Sequence, residues 1–297
     1  PEAIEKLKSC HTVIFDKTGT LTKSEVEVVE FSEELRTKHK NILLTLEKQS
    51  VHPFGKAIVR GLSQETSENL EVINFEERPG VGVFGKIEGE DFSVRRLENG
   101  STKYQAGFFR GSELISSIQF SSTPYEDSLT SIKKLRNMGY TIFMFTGDQN
   151  SVSQDMAKAM GIDQANVMTQ MTPESKSDFV EKLLKDDGVI FVGDGLNDSL
   201  AMSKASVAIS AYTSVDASYK TSDVHLLKHG VSDVVDLINI SNKTIDVIKI
   251  NLSASLVYNV IFGGLALTGF INPLVAAFLM PISSFSVIGH SIFRLRG

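Results

Sequence analysis

A single cysteine, Cys10, is all that the 297 residues contain. That excludes an intrachain disulfide framework and a cysteine zinc site, and it fits a reducing compartment. A surplus of basic residues is also lacking: 30 Lys and Arg stand against 36 Asp and Glu, a formal charge of −6. Sequence-independent nucleic-acid binding has no electrostatic basis here, so no nucleic acid is expected as a partner. No internal repeat or low-complexity tract is present. Charge itself is missing from Ile250 to Phe293, apart from any protonation of His290. Soluble domains rarely tolerate such a gap. The stretch divides at Gly269-Phe270-Ile271-Asn272-Pro273 into two apolar runs of about 20 residues, the length that crosses a bilayer core as helix. A transmembrane hairpin with lipid around it is expected, and a buried helical pair in a soluble protein is the weaker alternative. Lys243 and Lys249 precede the hairpin and Arg294 and Arg296 follow it, which places both ends in the cytoplasm. The chain starts at Pro1 with no signal peptide or basic presequence before its first motif, and it reads as a fragment.

The length allows two soluble domains. Thr12-Val13-Ile14-Phe15 is a short apolar run that ends at Asp16 and is followed by the loop formers Thr18, Gly19 and Thr20, which predicts a buried strand with an acid at its carboxyl end. The same pattern returns at Tyr140 to Phe145 before Thr146-Gly147-Asp148, and at Gly188 to Val192 before Gly193-Asp194-Gly195. Helical spacing lies between these strands at Leu129 to Leu135, Val152 to Met160 and Pro173 to Leu184. Alternating strand and helix implies an α/β fold with a doubly wound parallel sheet, whose ligands sit beyond the carboxyl ends of the strands, where Asp16, Asp148 and Asp194 would converge. From about Lys23 to Gly111 the pattern changes to a long helix, a second helix after His52-Pro53, and short strands near Leu70 to Phe75 and Phe92 to Leu97. The expected division is a parallel-sheet domain from residues 1–22 and 112–235, an inserted α+β domain at 23–111, and residues 236–297 as a helix leading into the membrane plus two transmembrane helices.

Asp16-Lys17-Thr18-Gly19-Thr20-Leu21-Thr22 sets a carboxylate beside a lysine and a turn whose backbone amides can face a phosphate. Such a carboxylate can attack the γ-phosphoryl group of ATP to give an acyl phosphate, with Mg2+ offsetting the negative charge of both partners and Asp194 as a second ligand for the ion. The string DKTGT resembles the signature of the P-type ATPases, which are built on the haloacid-dehalogenase fold. The resemblance implies roles for further residues. Thr146-Gly147-Asp148 is similar to the family's TGD, whose threonine holds a transferring phosphoryl oxygen. Pro173-Glu174-Ser175-Lys176 supplies the phosphate-site lysine, and Gly193-Asp194-Gly195-Leu196-Asn197-Asp198 matches GDGxND. Asp16, Thr18 and Asp194 form the implied magnesium set, while Asn197 and Asp198 hold the surroundings, including Lys176.

Thr18 separates two enzyme classes. Phosphatases of the same fold place a second aspartate two residues after the nucleophile as general acid and base, and with threonine there the acyl phosphate loses its proton shuttle and can persist. In the inserted domain Glu47, His52-Pro53 and Gly80-Val81-Gly82 resemble the nucleotide-site residues of the heavy-metal-transporting branch, which makes this domain the nucleotide-binding one. The hairpin carries Asn251, Tyr258, Asn259, Pro273, Met280, Ser283 and Ser284 at positions used by copper-transporting members. Tyr258, Asn259, Met280 and Ser284 are the implied ligands of the transported cation, and their soft, uncharged character with no Asp or Glu in either span points to Cu(I). The resemblance covers the carboxyl half of a pump. It implies an integral membrane protein, of the plasma membrane, with cytoplasmic catalytic domains and with upstream membrane helices and an actuator domain as partners. Three positions depart from the family pattern: Val51 replaces a glutamate before the His-Pro pair, Ser122 and Tyr125 replace a DxxR element, and no Gly-Asn pair is evident near Arg96 to Gly100. The alternatives are a phosphatase of the same fold, or a nucleotide-binding regulatory fragment with weakened catalysis.

Overall fold

The computed structural model describes residues 2–62, 70–97, 104–147, 151–195, 197–212, 221–269 and 272–296. Helix α1 (Glu2–Lys8) leads into strand β1 (Cys10–Asp16). A second region follows, made of β2 (Thr22–Phe31), α2 (Thr37–Glu47), α3 (Pro53–Leu62), β3 (Ile73–Arg78), β4 (Gly82–Ile87), β5 (Glu90–Arg96), β6 (Ala106–Arg110) and β7 (Glu113–Pro124). The chain then returns to the first region with α4 (Ser128–Asn137), β8 (Thr141–Phe145), α5 (Ser151–Ala159), β9 (Val167–Met168), α6 (Pro173–Leu183) and β10 (Gly188–Gly193). Helix α7 (Ser199–Lys204), β11 (Val207–Ser210) and β12 (Val224–His225) complete it, and α8 (Ser232–Leu267) and α9 (Pro273–Arg296) end the chain.

The first sheet has the order β12-β11-β10-β1-β8-β9, with every pair parallel. Its central strand β1 explains the apolar run at Val13 to Phe15, because both faces of the sheet are covered. Val13 and Phe15 join a core with Ile132 and Leu135 of α4 and Val234 and Val235 of α8, whereas Ile14 points into the opposite core with Val180 of α6 and Ala201 and Met202 of α7. Each such fully buried aliphatic or aromatic side chain contributes roughly 1.5–3 kcal/mol relative to exposure. The expected doubly wound parallel sheet is present.

The second sheet is antiparallel, in the order β2-β7-β6-β5-β4-β3. Ile42, Leu43 and Leu46 of α2 and Ala57 and Ile58 of α3 cover one face of it, against Phe108, Ile118 and Phe120. Two expectations are corrected here. Residues after Lys23 begin as strand and not helix, since Val26 and Val28 alternate with solvent-facing charges and pack on this core. Strand β7 lies in the inserted unit, beyond the expected limit at 111, because Glu113 to Ile118 pair with β6 and Ile118 to Pro124 pair with β2. The crossings between the units adjoin, as insertion requires: Tyr125 N donates to Leu21 O at 3.0 Å.

The helix leading into the membrane and the first span are one element, not two, since α8 runs unbroken for 36 residues. Its start is buried in the parallel-sheet core through Val234, Val235 and Ile238, and its later part exposes Leu252, Leu256, Val257, Val260 and Ile261. Among the described residues it is the one helix long and apolar enough to cross a membrane. Helix α9 continues through Pro281 for 24 residues and meets α8 through Asn251 Nδ2, which donates to Ser291 Oγ at 2.7 Å.

Candidate active site

Asp16 ends β1, between β10 and β8, so the flanking strands bring their own carboxyl-terminal loops to it. Lys176 reaches it from the first turn of α6. That turn is set by a capping box in which Thr172 Oγ1 accepts from Ser175 N and Ser175 Oγ accepts from Thr172 N, with Pro173 in the first helical turn. The ammonium lies 2.5 Å from Asp16 Oδ1 and 2.6 Å from Asp198 Oδ1, and all three residues are buried. Asp16 Oδ2 accepts from Thr18 N at 3.1 Å, whereas Asp198 Oδ2 is buried without a hydrogen-bond partner. Burial and then the Asp198 charge hold the Asp16 carboxyl well above its usual range, Lys176 opposes them and Asp194 adds to them. Burial alone would lower the Lys176 ammonium, but Asp16 and Asp198 outweigh it and keep Lys176 charged. Two carboxylates thus share one lysine, with the Asp194 charge close enough to act on Asp16, and this surplus of negative charge with an unused carboxylate oxygen suits a small divalent cation. Among the described residues no three His, Cys, Asp or Glu side chains are arranged as a complete metal site. Oxygen donors from a substrate and from water would have to complete one.

Lys17 is buried, with Nζ 3.4 Å from Ser153 Oγ of α5, and its backbone N donates to Phe145 O at the end of β8. Thr146 is buried next to it, held by its N to Met168 O and by Met171 N to its own carbonyl. Asp194 is half-buried and Asn197 is exposed; Asp148 lies outside the described residues. Of the acid-edge candidates, Asp16, Lys176 and Asp198 are in direct contact, and Lys17 and Thr146 flank them just past the ends of β1 and β8.

A cleft of about 660 Å³ lies between the two sheets. Glu47, His52, Gly80 and Gly82 line it from the inserted unit, and Lys17, Gly147 and Thr172 line it from the other. The glycine at 82 is obligatory. Its φ is +149°, and a Cβ there would strike the Val94 carbonyl of β5. Burial and the nearby Glu77 push the Glu47 carboxyl up to about 7. His52 Nδ1 accepts from Phe54 N at 3.2 Å, so this histidine also serves the start of α3. Glu77 was missed by sequence reasoning: it lines the cleft, and its Oε2 accepts from the amide of Val51, the position that lacks the expected glutamate. Near the place where the Gly-Asn pair is absent, Arg95 pairs with Gly82 across the strands and sets its guanidinium 3.9 Å over the Phe109 ring, while Arg96 lines the cleft. In the hairpin Tyr258 packs on Phe262 at 4.3 Å, Asn259 and Ser284 are exposed, and the Met280 side chain lies outside the described residues.

Residues 10–206 match the haloacid dehalogenase-like hydrolases. The chain belongs to that family. Within this hydrolase family it is similar to the "Probable copper-importing P-type ATPase A" of Enterococcus hirae, with 31% identity over 313 residues that span 98% of this chain and 42% of the relative. The copper-exporting P-type ATPase of Bacillus subtilis is 27% identical over 314 residues, 98% of this chain and 39% of its own. The solved catalytic domain of a CPx-ATPase is 30% identical with a TM-score of 0.72 and covers 80% of this chain and 93% of that one. A zinc-transporting PIB-type ATPase in its E2·Pi state shares the fold, with a TM-score of 0.86 at 22% identity over 99% of this chain and 51% of that one. The chain spans about two-fifths of the length of the curated relatives it matches.

Proposed function

We propose that this chain is the phosphorylation and ATP-binding part of a heavy-metal cation pump, and that Asp16 accepts the γ-phosphoryl group of ATP. The observation that carries this reading is the buried contact of Lys176 with Asp16 and Asp198 at the edge of a cleft shared by the two units. An Asp16 carboxylate oxygen forms the new bond to phosphorus, the bond from that phosphorus to the β-γ bridging oxygen breaks, and ADP carries away the electron pair. Lys176 offsets the charge on the transferred group, Lys17 and the backbone around Gly147 approach it from the cleft, and Thr146 offers its hydroxyl. Mg2+, held by Asp16, Asp194 and Thr18, would neutralise charge on both partners. Thr18 provides no carboxylate to activate water, so the acyl phosphate lasts long enough to be coupled to movement.

Glu47, His52, Gly80 and Gly82 hold the nucleotide's base and inner phosphates. The transported ion is Cu(I), supported by the absence of Asp and Glu between Ile250 and Phe293 and by the soft thioether of Met280 and the uncharged side chain of Tyr258. The catalytic units lie on the cytoplasmic side of a membrane, most simply the plasma membrane. Upstream membrane helices and an actuator domain supply the rest of the cycle. The test is phosphorylation of the longer protein by radiolabelled ATP: an acid-stable, hydroxylamine-sensitive label should form and be lost in Asp16→Asn. Persistence of the label in that variant would sink the reading.

A further inference from the structure

The second crossing between the sheets, Pro124 to Ser128, touches three parts of the molecule. Tyr125 N donates to Leu21 O at 3.0 Å and Ser128 Oγ donates to the same carbonyl at 2.8 Å, so the two connecting segments are tied at one point. Asp127 reaches the other way. Its Oδ2 accepts from Val231 N at 2.9 Å and Ser232 N at 2.7 Å, at the start of α8. Amides at a helix start have no intrahelical acceptor, and Val231 offers no side-chain cap. A carboxylate remote in sequence therefore caps α8, with its charge at the positive end of the helix dipole. Gly230 makes room for it: φ is +91° there, and a Cβ would collide with the Asp127 carboxylate.

Beside this cap the Tyr125 ring stacks on His229, with centroids 5.6 Å apart and planes at 26°. The phenol oxygen is 3.2 Å from His229 Nδ1, and Tyr212 meets the same imidazole edge-on at 4.4 Å. Burial and then the Asp127 charge push the Tyr125 phenol up, so it keeps its proton. Tyr125 directly follows β7, the strand that belongs to the antiparallel sheet, whereas His229 and Gly230 lead directly into α8. Any swing of the inserted unit about residues 21–22 and 124–125 thus moves the Tyr125 ring against the turn that starts α8.

We propose that Asp127 and Tyr125 are positioning residues that link closure of the cleft to the first turn of α8, the helix that continues into the membrane span. Asp127 fixes that turn to α4, and the Tyr125–His229 stack passes the hinge displacement to it. The linkage rests on the nucleotide reading only for what closes the cleft.

Amide hydrogen exchange of the full chain in lipid nanodiscs, read at Val231 and Ser232, tests it. Without nucleotide, Asp127→Ala should speed exchange there about tenfold and Tyr125→Ala about threefold, although Tyr125 bonds neither amide, while Tyr125→Phe stays within about twofold of the parent. Parental exchange in Tyr125→Ala would overturn the joint whatever the cleft binds. With a saturating non-hydrolysable ATP analogue, exchange at these amides should change about threefold in the parent. Tyr125→Ala should lose that response while calorimetry shows its nucleotide affinity unchanged, and an undiminished response in the variant overturns the linkage. If the parent binds no nucleotide by calorimetry, the ATP reading fails separately, and the nucleotide-free comparison decides the joint.

Discussion

Lys176 is the only cation in direct contact with Asp16 and Asp198 among the described ion pairs, so its removal leaves two buried carboxylates facing each other. Lys176→Ala is expected to lower unfolding free energy by about 3–5 kcal/mol in urea titration and to abolish the phosphate label. Glu47 gives a pH prediction. Its carboxyl titrates near 7 in the folded chain against an ordinary 4.5, so the folded state binds more protons than the unfolded state between those values. The stability this proton confers is complete below about 4.5 and is lost as pH rises through about 7, a swing of about 3 kcal/mol. Glu47→Gln should remove that swing, and parallel denaturant titrations of parent and variant from acid to neutral pH measure the difference. Asp16 was expected from its own string at a strand end, whereas Lys176 and Asp198 were expected only through the resemblance of their strings to P-type ATPase motifs. Glu77 was not, because its carboxylate reaches the Val51 amide only through the packing of β3 beside the loop before α3.

At the scale of elements, the site depends on how α6 begins and how β4 approaches β5. Thr172→Ala removes half of the capping box and should cost about 1 kcal/mol of stability, with Thr172→Ser restoring it. Slower phosphorylation in the same alanine variant would show that the cap also aims Lys176. Gly82→Ala should cost about 2–4 kcal/mol in thermal or urea unfolding, since the new methyl group meets the Val94 carbonyl on a backbone at positive φ. The helices α4, α5 and α6 and the strands β1, β8 and β10 were readable within a residue or two, since their apolar periods are strong. Strands β2 and β7 were not. The charges of β2 face solvent, while β7 buries Ser116, Ser117 and Ser122 beside its apolar residues, so neither shows a clean apolar alternation, and their identity as strands comes from pairing with each other across about ninety residues of intervening chain.

For the molecule as a whole, α8 belongs both to the parallel-sheet core and to the apolar tail. Val234, Val235 and Ile238 are buried there, and Ser241 Oγ donates to Ile4 O at 2.5 Å. A truncation after Lys249 should therefore fold as a soluble protein, whereas one after Val231 should be less stable by at least about 4.5–9 kcal/mol, taking 1.5–3 kcal/mol for each of Val234, Val235 and Ile238. Equal melting of the two truncations would show that α8 contributes nothing to the core. The sequence by itself determined the parallel α/β unit, the acid edge with its lysine, the presence of an insertion and the apolar tail, because strand and helix periods, motif spacing and a charge gap are properties of short stretches of chain. Only the tertiary structure decided where the insertion ends, that the leading helix and first span are one, that Glu77 faces Val51, and that Asp127 caps α8. The first, third and fourth depend on contacts between residues far apart in the chain, which no local pattern specifies, and the second on a helix that continues past the point where its burial ends.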